Sequence, residues 1–147
     1  MHPMTVRPAR LEDAAAIASL SGQLGYPATA EQMARRLREV LPRTDGIVLV
    51  VEDAGAVVGW THLIGCYRLE EDVFGEIAGL VVAETHRGRG AGAQLLEAAE
   101  NWARERAYHR VLVRSNVIRE RAHTFYEREG YTPFKRQAVF AKPLRVP

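Results

Sequence analysis

Cysteine is almost missing from this chain. Cys66 is the single one in 147 residues, so no internal disulfide framework can form, and the usage fits a reducing, cytoplasmic compartment. No apolar stretch approaches the ~20 residues that a membrane-spanning helix needs. The opening Met1-His2-Pro3-Met4-Thr5-Val6-Arg7 has neither the apolar run nor the cleavage pattern of a secretory signal. Lysine is scarce as well: Lys135 and Lys142 stand against 18 arginines, for a net charge of only +2. That balance is too small to mark a nucleic-acid-binding protein. Neither nucleic acid nor membrane is therefore expected as a partner. The five histidines (His2, His62, His86, His109 and His123) show no metal-ligand spacing, and no paired cysteines accompany them, so no metal is expected. Repeats, low-complexity stretches and Gly/Ser-rich linkers are absent too, and the chain reads as a single domain over 1–147.

What is present is ordinary for a folded domain. Apolar residues make up 47% and charged residues 26%, and a chain of this length buries roughly two-thirds of its unfolded surface without staples. Val6 to Pro8 reads as a short extended start. Leu11, Ala14, Ile17, Ala18 and Leu24 follow helical spacing, and Gly22 and Gly25-Tyr26-Pro27 break that helix. Thr29 is the N-cap of a second helix with Met33, Leu37, Val40 and Leu41 on its apolar face, ended by Pro42. Ile47 to Val51 is a run of β-formers, Asp53-Ala54-Gly55 signals a hairpin, and a strand from Ala56 to about Tyr67 carries Gly59 and Gly65, which mark bulges or close backbone approaches. A further strand runs from about Val73 to Val82. A long helix spans Gly90 to Ala107, a short strand Val111 to Val113, a last helix Arg119 to Glu129, and two strands follow between Tyr131 and Leu144. The order β-α-α-β-β-β-α-β-α-β-β, an antiparallel meander followed by a β-α-β crossover, defines a mixed α/β domain.

The stretch Leu80-Val81-Val82-Ala83-Glu84-Thr85-His86-Arg87-Gly88-Arg89-Gly90-Ala91-Gly92 carries the chemistry. A strand ends, a glycine-rich loop follows, and a helix starts. Glycines at alternating positions leave no Cβ atoms in the way, so the amides of Arg87 through Gly92 can converge on one point with the positive end of the helix. That makes an anion cradle for a phosphate or diphosphate. The competing reading is a tight turn that merely needs glycine. Gly88, Gly90 and Ala93 also satisfy a loose dinucleotide-binding pattern. Against it, the loop before Gly88 is too long, no acidic residue follows Val111 to Val113, and too little chain remains for a doubly wound sheet. A Walker loop is absent, since no Gly-Lys-Ser/Thr occurs.

These residues resemble the GNAT superfamily of acetyl-CoA-dependent N-acetyltransferases. The resemblance rests on Arg87-Gly88-Arg89-Gly90-Ala91-Gly92 at a helix start, on Asn116 just past the fifth strand, and on Ala122, Phe125, Tyr126, Gly130 and Tyr131 at the spacing of the family's last helix. The element order matches as well. The resemblance implies a GNAT-like fold and acetyl-CoA as co-substrate, with its diphosphate on the amides of Arg87, Gly88, Arg89, Gly90, Ala91 and Gly92. Its pantetheine arm would lie between the splayed fourth and fifth strands, against Leu80, Val81 and Val82, and near Asn116. The amide of Leu80 or its neighbour would polarise the thioester carbonyl. Members of the family often dimerise, so a homodimer is among the expectations.

Acetyl transfer to an amine needs a neutral amine, a polarised carbonyl and a stabilised leaving thiolate. Tyr126, beside the implied slot, is the candidate general acid, because its phenol can donate a proton. The plainer alternative places it on the apolar face with Ala122 and Phe125. Glu76 is the candidate base. By period two it lies on the same face as Leu80 and Val82, and it is the charged residue of an otherwise apolar strand. An exposed strand end paired with an arginine is the alternative, with a water chain in place of a base. Tyr26, Trp60 and His62 are candidate walls of a pocket for a small-molecule or peptide amine, and Glu70, Glu71 and Asp72 are candidate attractors of a cation, each against a plain structural role. Two rival readings remain: a non-catalytic acyl-CoA-binding sensor, and an NADP-linked protein using Arg114 on a 2′-phosphate.

Overall fold

A computed structural model describes residues 3–114 and 120–145. The chain divides into two compact units, 1–114 and 115–147. The first begins with strand β1 (Thr5–Pro8), a 3₁₀ turn (Leu11–Asp13) and helices α1 (Ala14–Gln23) and α2 (Ala30–Val40). Strands β2 (Ile47–Asp53), β3 (Ala56–Cys66) and β4 (Phe74–Val82) follow, then a 3₁₀ turn (Glu84–His86), helix α3 (Ala91–Glu105) and strand β5 (Val111–Val113). The five strands form one sheet in chain order. The first three pairings are antiparallel and β4–β5 is parallel, with α3 as the crossover. A single parallel pair excludes the doubly wound dinucleotide sheet. Thr29 caps α2 as its sequence predicts: its hydroxyl accepts from Gln32 N–H at 3.0 Å, and Gln32 Oε1 accepts from Thr29 N–H at 2.9 Å.

Alternation along the strands decides what each side of the sheet buries. Val48 and Val50 pack with Ile17, Leu37 and Met33 of the first two helices, together with Trp60. Val51 faces the other way, where Leu95 of α3 covers Gly59. At the edge of the sheet, Arg7 joins three elements. Its guanidinium donates to both carboxylate oxygens of Asp13 at 2.9 Å and through Nε to Glu52 at 2.7 Å. The paired guanidinium holds the Asp13 carboxyl below the ordinary carboxylate range, against the opposing pull of burial. A depressed carboxyl contributes stability above the unfolded value and loses it as pH falls through the folded one. The thermal midpoint should therefore drop below about pH 4. Asp13→Asn should flatten that acid limb and cost about 2 kcal/mol at neutral pH, less than a fully broken buried pair because Glu52 still meets Arg7. Thermal unfolding across pH 2.5–7 checks both.

The β2–β3 hairpin turns through Ala54 at φ 51° and Gly55 at φ 82°, the left-handed pair that a two-residue turn requires. Alanine is poorly suited there. Ala54→Asn should raise stability by about 1 kcal/mol, a rise of roughly 2–4 °C in Tm by differential scanning calorimetry.

The second unit holds helix α4 (Glu120–Arg128), closed by Gly130 at φ 94°. The two strands expected between Tyr131 and Leu144 are not formed: residues 131–145 carry no regular secondary structure. Their apolar side chains Phe134, Val139, Phe140 and Leu144 are exposed, Phe140 at 92%. Pro133 and Pro143 contribute no N–H to a ladder, and β-formers alone do not hold a strand without a neighbour to pair with and a face to cover.

Candidate active site

The sheet parts at β4. Gly75, Glu76 and Ile77 pair with Val111, Leu112 and Val113, and β4 then runs on to Val82 with no strand among the described residues on that edge. Ala83 N–H donates to Val58 C=O on the β3 side at 2.8 Å. Backbone direction alternates along a strand, so the N–H and C=O groups of Leu80 and Val82 point to the open edge. The backbone groups of Leu80 and Val82 thus offer hydrogen bonds to an extended ligand.

A bulge sits at the parting point. His62 opposes Gly79 and Leu63 opposes Ile77, which leaves Ala78 unpaired. The extra residue inverts the alternation. Glu76 therefore shares a face with Gly79 and Val81, and lies opposite Leu80 and Val82, which corrects the same-face expectation drawn from period two. The Glu76 carboxylate accepts from Arg114 Nε at 3.1 Å, the arginine pairing that was its alternative reading. On that face the ring of Trp60 lies on Gly79, where a Cβ would come 2.6 Å from the indole.

Beyond Val82 the 3₁₀ turn delivers the chain to the glycine loop. Gly88 at φ 77° and Gly90 at φ 88° adopt left-handed conformations, and a Cβ at either would stand in open space. The N–H groups of Arg87 and Arg89 make long turn contacts of 3.5 and 3.4 Å to Glu84 and His86 carbonyls. Those of Gly88, Gly90, Ala91 and Gly92 have no acceptor among the described residues, as expected of a first helical turn without a side-chain cap. The left-handed glycines and the free amides form an anion-binding concavity at the positive end of α3. The guanidiniums of Arg87 and Arg89 flank it in the sequence.

The remaining expected residues distribute as follows. Asn116 lies outside the described residues. Tyr126 is half-buried on α4, its ring 5.1 Å from Phe125 and 5.9 Å from Tyr131, and burial pushes its phenol above the ordinary tyrosine value. His62 lines a cavity of about 290 Å³ with Val40, Arg43, Asp45, Gly46, Ile64 and Gly65, and burial pulls its ring pKa down. Tyr26 is largely exposed. Glu71 is taken up by Arg110 at 2.7 Å and His109 at 3.1 Å, and the guanidinium lowers its carboxyl pKa. Cys66 is half-buried, which raises its thiol pKa. Two contacts went unread in the sequence. Thr61, fully buried, donates to Gly79 C=O at 2.8 Å and so secures the strand at the bulge. His86 meets Asp53 at 2.8 Å across 33 residues of chain. Asp53 and His86 belong to separate local signals, and only the tertiary fold brings them together.

A mixed sheet opened at its parallel pair, with an amide nest at a helix start, is an arrangement suited to an extended, phosphate-bearing ligand. The acetyltransferase (GNAT) family profile matches residues 14–131. An aminoalkylphosphonate N-acetyltransferase of Salmonella typhimurium is 41% identical over 78 residues, which span 52% of this chain and 51% of that protein. An aminoglycoside N(6')-acetyltransferase type 1 of Klebsiella aerogenes is 26% identical over 146 residues, covering 95% of this chain and 96% of its own. The crystal structure of an aminoglycoside 6'-N-acetyltransferase from Acinetobacter baumannii superposes with a TM-score of 0.85 at 16% identity, over 97% of this chain and 99% of that one. The chain belongs to the GNAT acetyltransferase family and so to the acetyl-CoA-dependent acyltransferases. Among the described residues, no helix is long and apolar enough to cross a membrane, and no group of three His, Cys, Asp or Glu side chains is placed to hold a metal ion.

Proposed function

We propose that this protein transfers the acetyl group of acetyl-CoA to a primary amine of a small molecule, with the two units acting as one N-acetyltransferase domain over 1–147. The observation that carries this reading is the open edge of β4 from Ala78 to Val82, followed after one 3₁₀ turn by the free amides of Gly88, Gly90, Ala91 and Gly92. An extended arm with a diphosphate at one end and a thioester at the other fits that sequence of donors. The amide of Leu80 or its neighbour polarises the thioester carbonyl. Tyr126 gives its proton to the departing thiolate, and a phenol kept protonated by burial is suited to that task. A lysine-like amine, with a reference pKa of ~10.4, arrives charged and must lose a proton first. Engagement of Glu76 by Arg114 favours a water chain for that step. The match of one family profile across both units supports the single-domain reading. The similar proteins act on an aminoalkylphosphonate and on an aminoglycoside, which supports a small amine over a peptide.

Release of free thiol from acetyl-CoA by the purified chain, measured over a panel of aminoalkylphosphonates, aminoglycosides, polyamines, amino acids and peptides, tests the proposal. Amine-dependent release with at least one small amine is expected. A rise in Tm with acetyl-CoA but no release with any amine would point instead to the sensor reading. A rise with NADPH alone would point to the nucleotide-linked one.

A further inference from the structure

We infer that Asp53, at the tip of the β2–β3 hairpin, positions the phosphate-binding loop through His86. The inference rests on the acetyl-CoA reading above. Asp53 Oδ2 lies 2.8 Å from His86 Nε2 and 3.7 Å from Arg89 Nη2. Thr85 Oγ1 lies 2.8 Å from His86 Nδ1. An ionised carboxylate only accepts, so Nε2 carries its hydrogen toward Asp53; in the neutral ring Nδ1 then accepts from the Thr85 hydroxyl. Both ends of this contact are largely withdrawn from water, with side-chain exposures of 15% for His86 and 16% for Asp53.

The arrangement acts on the nest in two ways. It ties the backbone at Thr85 and His86, two and one residues before Arg87, to the hairpin. The glycines that follow have positive φ and no side chains, so the loop has little packing of its own to hold it. It also draws Arg89 to the carboxylate. The guanidinium is thus held at Asp53, and a diphosphate arriving at the nest meets an arginine already ordered. The Asp53 charge itself opposes an anion. The positioning effect and the electrostatic effect therefore have opposite signs and can be separated by substitution.

Steady-state kinetics of five variants tests this, with acetyl-CoA compared against acetyl-pantetheine, which has the thioester but no diphosphate. Asp53→Ala and His86→Ala should each raise KM for acetyl-CoA by roughly tenfold with kcat within about twofold, the signature of lost ground-state binding. Neither should change kcat/KM for acetyl-pantetheine. The double variant should be no worse than either single one, because both remove the same bridge. Asp53→Asn keeps an acceptor for Nε2 and removes the opposing charge, so its KM for acetyl-CoA should stay at or below the wild-type value. His86→Gln, which retains an N–H at the reach of Nε2, should recover most of the loss. Equal losses with acetyl-CoA and acetyl-pantetheine, or an unchanged KM in Asp53→Ala, would overturn the inference while leaving the acetyltransferase reading intact. If the wild-type protein itself does not bind acetyl-CoA, it is the broader reading that fails.

Discussion

Gly90→Asp is expected to weaken acetyl-CoA binding by about a thousandfold while leaving a folded protein. Gly90 caps α3 at φ 88°, and a Cβ there meets no atom within 4 Å. The free protein therefore suffers only the left-handed backbone cost, which is modest for aspartate, at about 1 kcal/mol. The ligand meets a much larger obstacle. The new carboxylate would sit among the amides of Gly88, Gly90, Ala91 and Gly92, where a diphosphate belongs. Two like charges about 4 Å apart near a protein surface repel by roughly 4 kcal/mol, enough for the loss predicted. Gly90→Ala separates the two contributions, since it adds the strain without the charge and should cost no more than about tenfold. Isothermal titration with acetyl-CoA, with Tm of the free variants as a control, provides the measurement. Affinity within threefold of wild type in Gly90→Asp would show that the loop does not hold the diphosphate.

The second large effect concerns turnover rather than binding. Tyr126→Phe should lower kcat by roughly 10²–10³, the usual span for loss of a general acid, with KM for acetyl-CoA changed by no more than about twofold. Phenylalanine preserves the edge-to-face contacts that Tyr126 makes with Phe125 and Tyr131, so packing is retained and only the proton is lost. The pH profile supplies an independent check. Burial raises the phenol pKa above its ordinary value near 10. The acid form thus persists through neutral and mildly alkaline pH, and a fall in rate due to Tyr126 should have its midpoint above the ordinary tyrosine value. That alkaline limb should be absent in the phenylalanine variant. An unchanged kcat would return Tyr126 to the apolar face of α4 as a packing residue.

Much of the scaffold was legible because its signals are local. Thr29 and Gln32 stand three residues apart and make the capping box they imply. The Asp53-Ala54-Gly55 turn, the stop at Gly130 and the glycine loop before α3 each depend on backbone conformations set by a few neighbouring residues. Two readings failed where the deciding contact was distant. Period two placed Glu76 with Leu80 and Val82, but one unpaired residue at Ala78 inverts the pattern, and nothing in Gly75-Glu76-Ile77-Ala78-Gly79 announces it. The run Ala138-Val139-Phe140-Ala141 has strand composition, yet composition supplies neither a pairing edge nor a cover for its side chains. The placement of Tyr126 beside a thiolate stays a proposal, because a side chain's neighbours across space leave no trace in its own spacing.

The amino-acid sequence by itself determined the order of elements from β1 to α4 and the left-handed glycines of the phosphate loop. Helical periodicity, capping and positive φ are properties of residues only a few positions apart, so they are written in the local string. Tertiary structure decided which edge of β4 stays open, which face carries Glu76, and that Asp53 meets His86. Each of these depends on strand register, and register is set by the packing of the whole sheet between its helices rather than by any single segment.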